Sequence, residues 1–142
     1  MYYSPLVLKA SRIMFEAHRN DIDKGGYPYV FHPYHLASQM NDEASVCVAL
    51  LHDVIEDHSD LYSFESLRKE GFSEDILTAL KLLTHPTGVP YMDYIRLIAE
   101  NPIATKVKMA DLEHNMDIRR VGNVKTKKYD TYVEALNYLK NS

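Results

Sequence analysis

Apolar residues recur along this chain at three- and four-residue intervals, the spacing that gives a helix one buried face. Leu6, Ala10, Ile13, Met14 and Ala17 follow it behind Ser4-Pro5, a cap residue and a proline suited to the first helical position, so a helix is expected to about Arg19. Gly25, Gly26 and Pro28 interrupt the pattern, and Pro33 opens a short helix to about Met40. Asp42 can cap a long helix ending near Asp57. Ser63 begins another, closed by Gly71, and Ser73 with Glu74 and Asp75 in its first turn begins one to about Leu83. Tyr91 to Glu100, the segment after Asn101-Pro102, and Lys127 to Leu139 complete the set. No segment alternates as a half-buried strand would, so the expected fold is an all-α, single-domain helical bundle over residues 1–142.

Within the long helix, Ala49-Leu50-Leu51-His52-Asp53-Val54-Ile55-Glu56-Asp57 puts four ionisable side chains directly after an apolar run. On a continuous helix His52 would lie above Glu56 and Asp53 above Asp57, since residues four apart share a face. An exposed acidic helix end would look the same in this segment alone. Two other segments tilt the reading toward chemistry. His32 stands just before Pro33, and Asp111 and Asn115 lie four apart on a later helix. Together His32, His52, Asp53 and Asp111 offer two imidazoles and two carboxylates from three elements.

That donor set speaks to the ion. Cys47 is the single cysteine, which excludes a Cys-rich closed zinc site. Mixed imidazole and carboxylate ligation suits Mn²⁺, Fe²⁺ or catalytic Zn²⁺. Open positions would remain for water and substrate, and bound water could be acidified near neutral pH.

Composition narrows the partners. Lys and Arg total 16 against 20 Asp and Glu, for a net charge of −4, so a surface for duplex nucleic acid is not expected. Neither a signal peptide nor an apolar run of membrane-spanning length is visible, and the lone cysteine excludes an internal disulfide. A cytoplasmic location is the expectation.

The words around these residues carry a resemblance. Gly26-x-Pro28-Tyr29-x-x-His32-Pro33, Leu50-Leu51-His52-Asp53-x-x-Glu56-Asp57, Leu83-Thr84-His85 and Lys108-x-Ala110-Asp111-x-x-His114-Asn115 resemble, in order, the HD superfamily of metal-dependent phosphohydrolases. Within it they are similar to the hydrolase domain of Rel/Spo-type stringent-response enzymes and of small alarmone hydrolases. The resemblance runs from about Ala17 to Asn115. It implies an HD-type helical bundle binding one Mn²⁺, or another divalent transition metal, through His32, His52, Asp53 and Asp111. It also implies catalytic roles for Glu56 and Asp57, a substrate contact at Asn115, and hydrolytic removal of the 3′-pyrophosphate from guanosine tetra- or pentaphosphate. Lys108, one turn before Asp111, and Lys24, in the loop before Tyr29, are the basic residues expected to meet phosphate, and Tyr29 and Tyr91 the rings expected to stack on substrate.

The chain also departs from that pattern. Asp23 stands where an arginine is expected, and Met116-Asp117-Ile118 follows Asn115 where an arginine belongs, with Arg119 and Arg120 displaced further on. These departures keep a second reading open, an HD hydrolase acting on another nucleotide or dinucleotide phosphate. An HD-type iron oxygenase would need further histidine ligands between Asp53 and Asp111, where only His58 and His85 occur in no ligand-like word. A non-catalytic nucleotide sensor would be expected to have lost a ligand or the Glu56-Asp57 pair. His18 and His35 read as packing or surface residues, and His114 as a hydrogen-bonding support for a ligand.

Overall fold

A short polar side chain starts most of the helices by accepting a backbone N–H that the first turn leaves free. The computed structural model describes residues 1–142. Ser4 caps α1 (Pro5–His18), Asp42 caps α3 (Glu43–Leu51), Ser73 caps α6 (Glu74–Leu83) and Asn101 caps α8 (Pro102–Asn115). Ser63 and Ser66 form a reciprocal capping box on α5 (Phe64–Lys69). Between these lie α2 (Phe31–Ser38), α4 (Val54–Asp57), α7 (Tyr91–Ile98), a 3₁₀ turn at Ile118–Val121 and α9 (Tyr129–Lys140). The chain is all helix apart from one isolated antiparallel bridge between Ile22 and Pro28. The all-α expectation therefore holds.

Helix α3 is the axis of the bundle. Every residue from Ser45 to Leu51 is buried, because α1, α2, α6 and α8 pack around it. Burial of each large apolar side chain there contributes about 1.5–3 kcal/mol. Truncating Leu51 to alanine is expected to cost about 2–5 kcal/mol once the cavity left behind is counted. No helix is long and apolar enough to cross a membrane.

In one place the structure corrects the helical reading in a way that matters. The run from Asp42 to Asp57 is not one helix: α3 ends at Leu51, Asp53 takes φ −109° and ψ 0°, and α4 restarts at Val54. Successive residues on an unbroken helix point about 100° apart. The break lets two consecutive side chains face one point, with His52 Nε2 3.1 Å from Asp53 Oδ2.

Candidate functional site

The buried end of α3 faces the middle of α8, and α2 closes the third side. His32 comes from the first turn of α2, His52 and Asp53 from the break after α3, and Asp111 from α8. Donor atoms of His32, His52 and Asp53 lie within 4.8 Å of one another. Asp111 Oδ1 lies 2.8 Å from His32 Nε2 and 3.6 Å from His52 Nε2. His32, His52 and Asp111 are each buried, at 3%, 6% and 6% exposure, so charge placed here is scarcely screened by solvent.

Hydrogen bonds behind the cluster fix which ring nitrogens are free. His52 Nδ1 lies 2.7 Å from the Ala49 carbonyl, which can only accept, so the proton sits on Nδ1. Its Nε2 is buried with no hydrogen-bond partner and faces the carboxylates of Asp53 and Asp111. A ring nitrogen aimed between two carboxylates calls for positive charge there, a proton or a metal ion. His32 is prepared similarly: its Nδ1 lies 2.7 Å from His114 Nδ1, with the two rings stacked, leaving Nε2 toward Asp111. Burial alone would strip His52 of positive charge, yet the adjacent Asp53 and Asp111 carboxylates hold its pKa well above the usual value. The corner is thus strongly cation-seeking, and these four residues fit a divalent ion.

Asp111 is held from three directions. Lys108 Nζ donates to Oδ2 at 2.9 Å and Asn115 Nδ2 to Oδ1 at 3.1 Å, while His32 meets Oδ1. Burial would raise the Asp111 pKa, but the Lys108 ammonium, the His32 hydrogen bond and the nearby His52 ring hold it well below the carboxylate range. Lys108 is itself buried and lies over the rings of Tyr91 and Tyr94. Lys108 was expected to meet substrate phosphate, and in the structure it meets a carboxylate. One turn before Asp111 on the same inward face, its ammonium ends on that carboxylate.

A cavity of ≈ 820 Å³ opens beside the corner, lined by His32, Asp53 and Asp111 on its floor and by the loop Asn20–Gly25 on one wall. Tyr29 reaches across and donates its hydroxyl to Asp53 Oδ2. It braces that carboxylate while its ring lines the cavity. Lys24 and Asn115 both line the cavity. Asp57 is in the wall, its pKa pushed up to about 6 by desolvation and by the charges of Asp53 and Glu56. Glu56 is outside: it is exposed, and its Oε1 accepts the His85 N–H at 3.1 Å. Tyr91 also stands away, buried against Lys108.

Among the contributors to the cavity that the sequence reading did not place there are Arg120, Lys128 and Tyr132. Arg120 comes from the 3₁₀ turn, donating to the His114 carbonyl at 3.0 Å and lying 3.4 Å from Asp23 Oδ2. Lys128 and Tyr132 come from the start of α9. Asp23 is turned into its own loop. Its Oδ1 accepts the N–H groups of Gly25 and Tyr27, both at 2.9 Å, and so shapes the loop. At Gly25 the loop passes so near Arg120 that a Cβ would stand 2.0 Å from the Arg120 carbonyl oxygen.

No family model matches the chain. It is 30% identical over 132 residues, 84% of its length, to a guanosine-3′,5′-bis(diphosphate) 3′-pyrophosphohydrolase of Aquifex aeolicus. It is 29% identical over 127 residues to a probable GTP pyrophosphokinase of Mycobacterium leprae. The chain spans only about one sixth of these curated relatives, 17% and 16% of their lengths. A solved structure of a metazoan ortholog of SpoT, described as hydrolyzing ppGpp, superposes with a TM-score of 0.74 at 25% identity. That match covers 99% of this chain and 86% of the other. The likeness to Rel/Spo-type hydrolases therefore extends through sequence and fold alike.

Proposed function

We propose that this Rel/Spo-like helical domain is a metal-dependent hydrolase that removes the 3′-pyrophosphate from guanosine tetra- or pentaphosphate, with Mn²⁺ as the ion. His32, His52, Asp53 and Asp111 are the residues to hold it. One observation carries the proposal: His52 Nε2, buried and without a partner, is aimed between the carboxylates of Asp53 and Asp111, and these line a cavity large enough for a nucleotide. A divalent ion there supplies Lewis-acid stabilisation of a phosphoryl group and lowers the pKa of water.

The protein's own groups do the rest. Asp57, whose carboxyl holds its proton more tightly than usual, is suited to exchange a proton with water at neutral pH. Glu56, offered by the sequence as its catalytic partner, acts in this reading through its charge on Asp57. Tyr29, Lys108 and Asn115 orient the carboxylates of Asp53 and Asp111. Lys24, Arg120 and Lys128 are the cations of the cavity wall, placed to meet phosphates as charge spreads over their oxygens.

A second reading rests on Asp23. With that carboxylate turned into its own loop and beside Arg120, base recognition passes to other residues, and another nucleotide phosphate becomes a candidate substrate. Mn²⁺-loaded protein incubated with a nucleotide panel separates the two. Pyrophosphate from guanosine tetraphosphate supports the first, and orthophosphate from a different nucleotide supports the second. His52→Ala is expected to lose turnover together with the ion held by His32, His52, Asp53 and Asp111; full turnover in that variant removes this metal centre from either reading.

A further inference from the structure

A second His and Asp cluster stands across Tyr29 from the first. His18 ends α1, Asp21 lies in the following loop, and His58 closes α4. His18 Nδ1 and His58 Nε2 converge on one oxygen, Asp21 Oδ2, at 2.9 and 2.6 Å. All three donor atoms fall within 4.8 Å of one another. From these positions we propose a second divalent-cation site formed by His18, Asp21 and His58, taking a transition ion of the Zn²⁺ or Co²⁺ type and facing the same cavity as the first.

Chemistry and placement both support it. Two imidazoles and one carboxylate on a single centre are a donor set that transition ions accept. Two ring nitrogens against one carboxylate oxygen need something positive between them, which two protons or one metal ion can provide. His18 is 1% exposed, and burial lowers its pKa, so its ring stays neutral and able to donate a lone pair. That ring is wedged against Tyr29 and His58, with centroids 4.7 and 5.1 Å away, and its other nitrogen has no partner. Its one polar engagement is with this cluster. Donors about 2.1 Å from a shared ion stand roughly 3.0–3.4 Å apart, so binding would draw the three side chains, already within 4.8 Å of one another, closer around the ion.

The position suggests a use that rests on the proposed function. Asp21 and His58 line the cavity together with Asp53 and Asp111, so open coordination positions at both centres would face one substrate. A molecule bearing two separated phosphate groups suits two such centres. The second ion would hold one phosphate while the other reacts.

Metal content tests this without reference to turnover. Chelated, dialysed protein is saturated with Zn²⁺, passed through a desalting column and assayed for zinc per chain, and a parallel Co²⁺ titration is followed by visible absorption. Two ions per chain are expected in the unmodified protein and one in Asp21→Asn and in His58→Gln. Both positions are partly solvent-facing, and helicity by circular dichroism checks that folding survives. His52→Ala is expected to retain one ion, lost on adding His58→Gln. A single ion that disappears in His52→Ala but persists in His58→Gln overturns this inference and leaves the proposed function standing. A single ion with the opposite dependence supports the second site and removes the first. Two ions unaffected by both Asp21→Asn and His58→Gln also overturn it, leaving a hydrogen-bonded strut between α1 and α4.

Discussion

The floor of the cavity and its wall are built on opposite principles. On the floor, His32, His52 and Asp111 project from α2, the end of α3 and α8, are nearly sealed from solvent, and have their backs occupied by Ala49, His114, Lys108 and Asn115. On the wall, Asp23, Lys24, Arg120 and Lys128 come from loops, a turn and the start of α9, and Asp23 is engaged within its own loop and beside Arg120. Rigid helices fix a reactive centre to within a fraction of an ångström, whereas loops can be exchanged without disturbing the core. Relatives of this chain can thus share a floor while differing in what the wall admits.

The sharpest way to probe the contrast is through Lys108. Lys108→Met leaves Asp111 charged, buried and short of its ammonium, and is expected to destabilise the metal-free protein by about 3–5 kcal/mol. Denaturant unfolding measures it, and added divalent ion should restore part of the loss. An unchanged midpoint would return Lys108 to the substrate.

Next comes the boundary between floor and wall. Asp57→Asn is expected to lower turnover by roughly 10²-fold or more with metal content intact, the scale for loss of a general acid or base. Glu56→Gln, acting only at a distance, should cost less than about tenfold. Steady-state rates and metal analysis on both variants decide the assignment, and a reversal of the two would restore Glu56 as the base.

A wall residue should act more gently still. Arg120→Gln is expected to raise KM by up to about tenfold, equivalent to 1.4 kcal/mol, with the ion still bound. Loss of the ion in that variant would show that floor and wall are not separable.

The smallest effect concerns protons. His114 has its pKa pushed down to about 3 by burial and by the neighbouring charges of His32 and Arg120. The unfolded chain therefore takes up a proton at this residue near pH 6.5 that the folded one refuses. Stability contributed here is complete above about pH 6.5 and declines as pH falls toward 3. Asp57, raised to about 6, works in the other direction as pH falls from there toward the ordinary carboxylate range. The readout is accordingly the difference between His114→Gln and the unmodified apo protein. The variant should lose less stability between pH 6.5 and 4, in chemical unfolding followed by circular dichroism.

Which parts of this were legible in the sequence follows from the same division. Ser4, Asp42, Ser63, Ser73 and Asn101 each cap the helix their position suggests, because capping is decided within three residues. The grouping of His32, His52, Asp53 and Asp111 could be suspected because each sits in a distinctive local word. Periodicity could not reveal the break at His52-Asp53, since the apolar positions on either side continue a helical count. Nor could it say that Lys108 points inward or that Asp23 folds onto its own loop. The side-chain substitution suggested by sequence alone, Asp23→Arg, would remove two N–H acceptors and set a second guanidinium beside Arg120. Weaker substrate binding, not stronger, is the outcome the structure supports. His18 was read as a packing or surface residue and His58 as standing outside any ligand-like word, and only the fold shows them sharing Asp21.

Gly25 carries a consequence for how such a domain can be retuned. Since its backbone lies against the Arg120 carbonyl with no room for a methyl group, the thickness of one residue sets the spacing between the Asn20–Gly25 loop and the Arg120 turn. Any larger residue would act as a shim, driving the two sides apart and moving Arg120 together with the segment that leads to Lys128. The aperture is thereby adjustable at a position with no chemistry of its own, and selectivity could drift through bulk at Gly25 while every reactive group stayed in place.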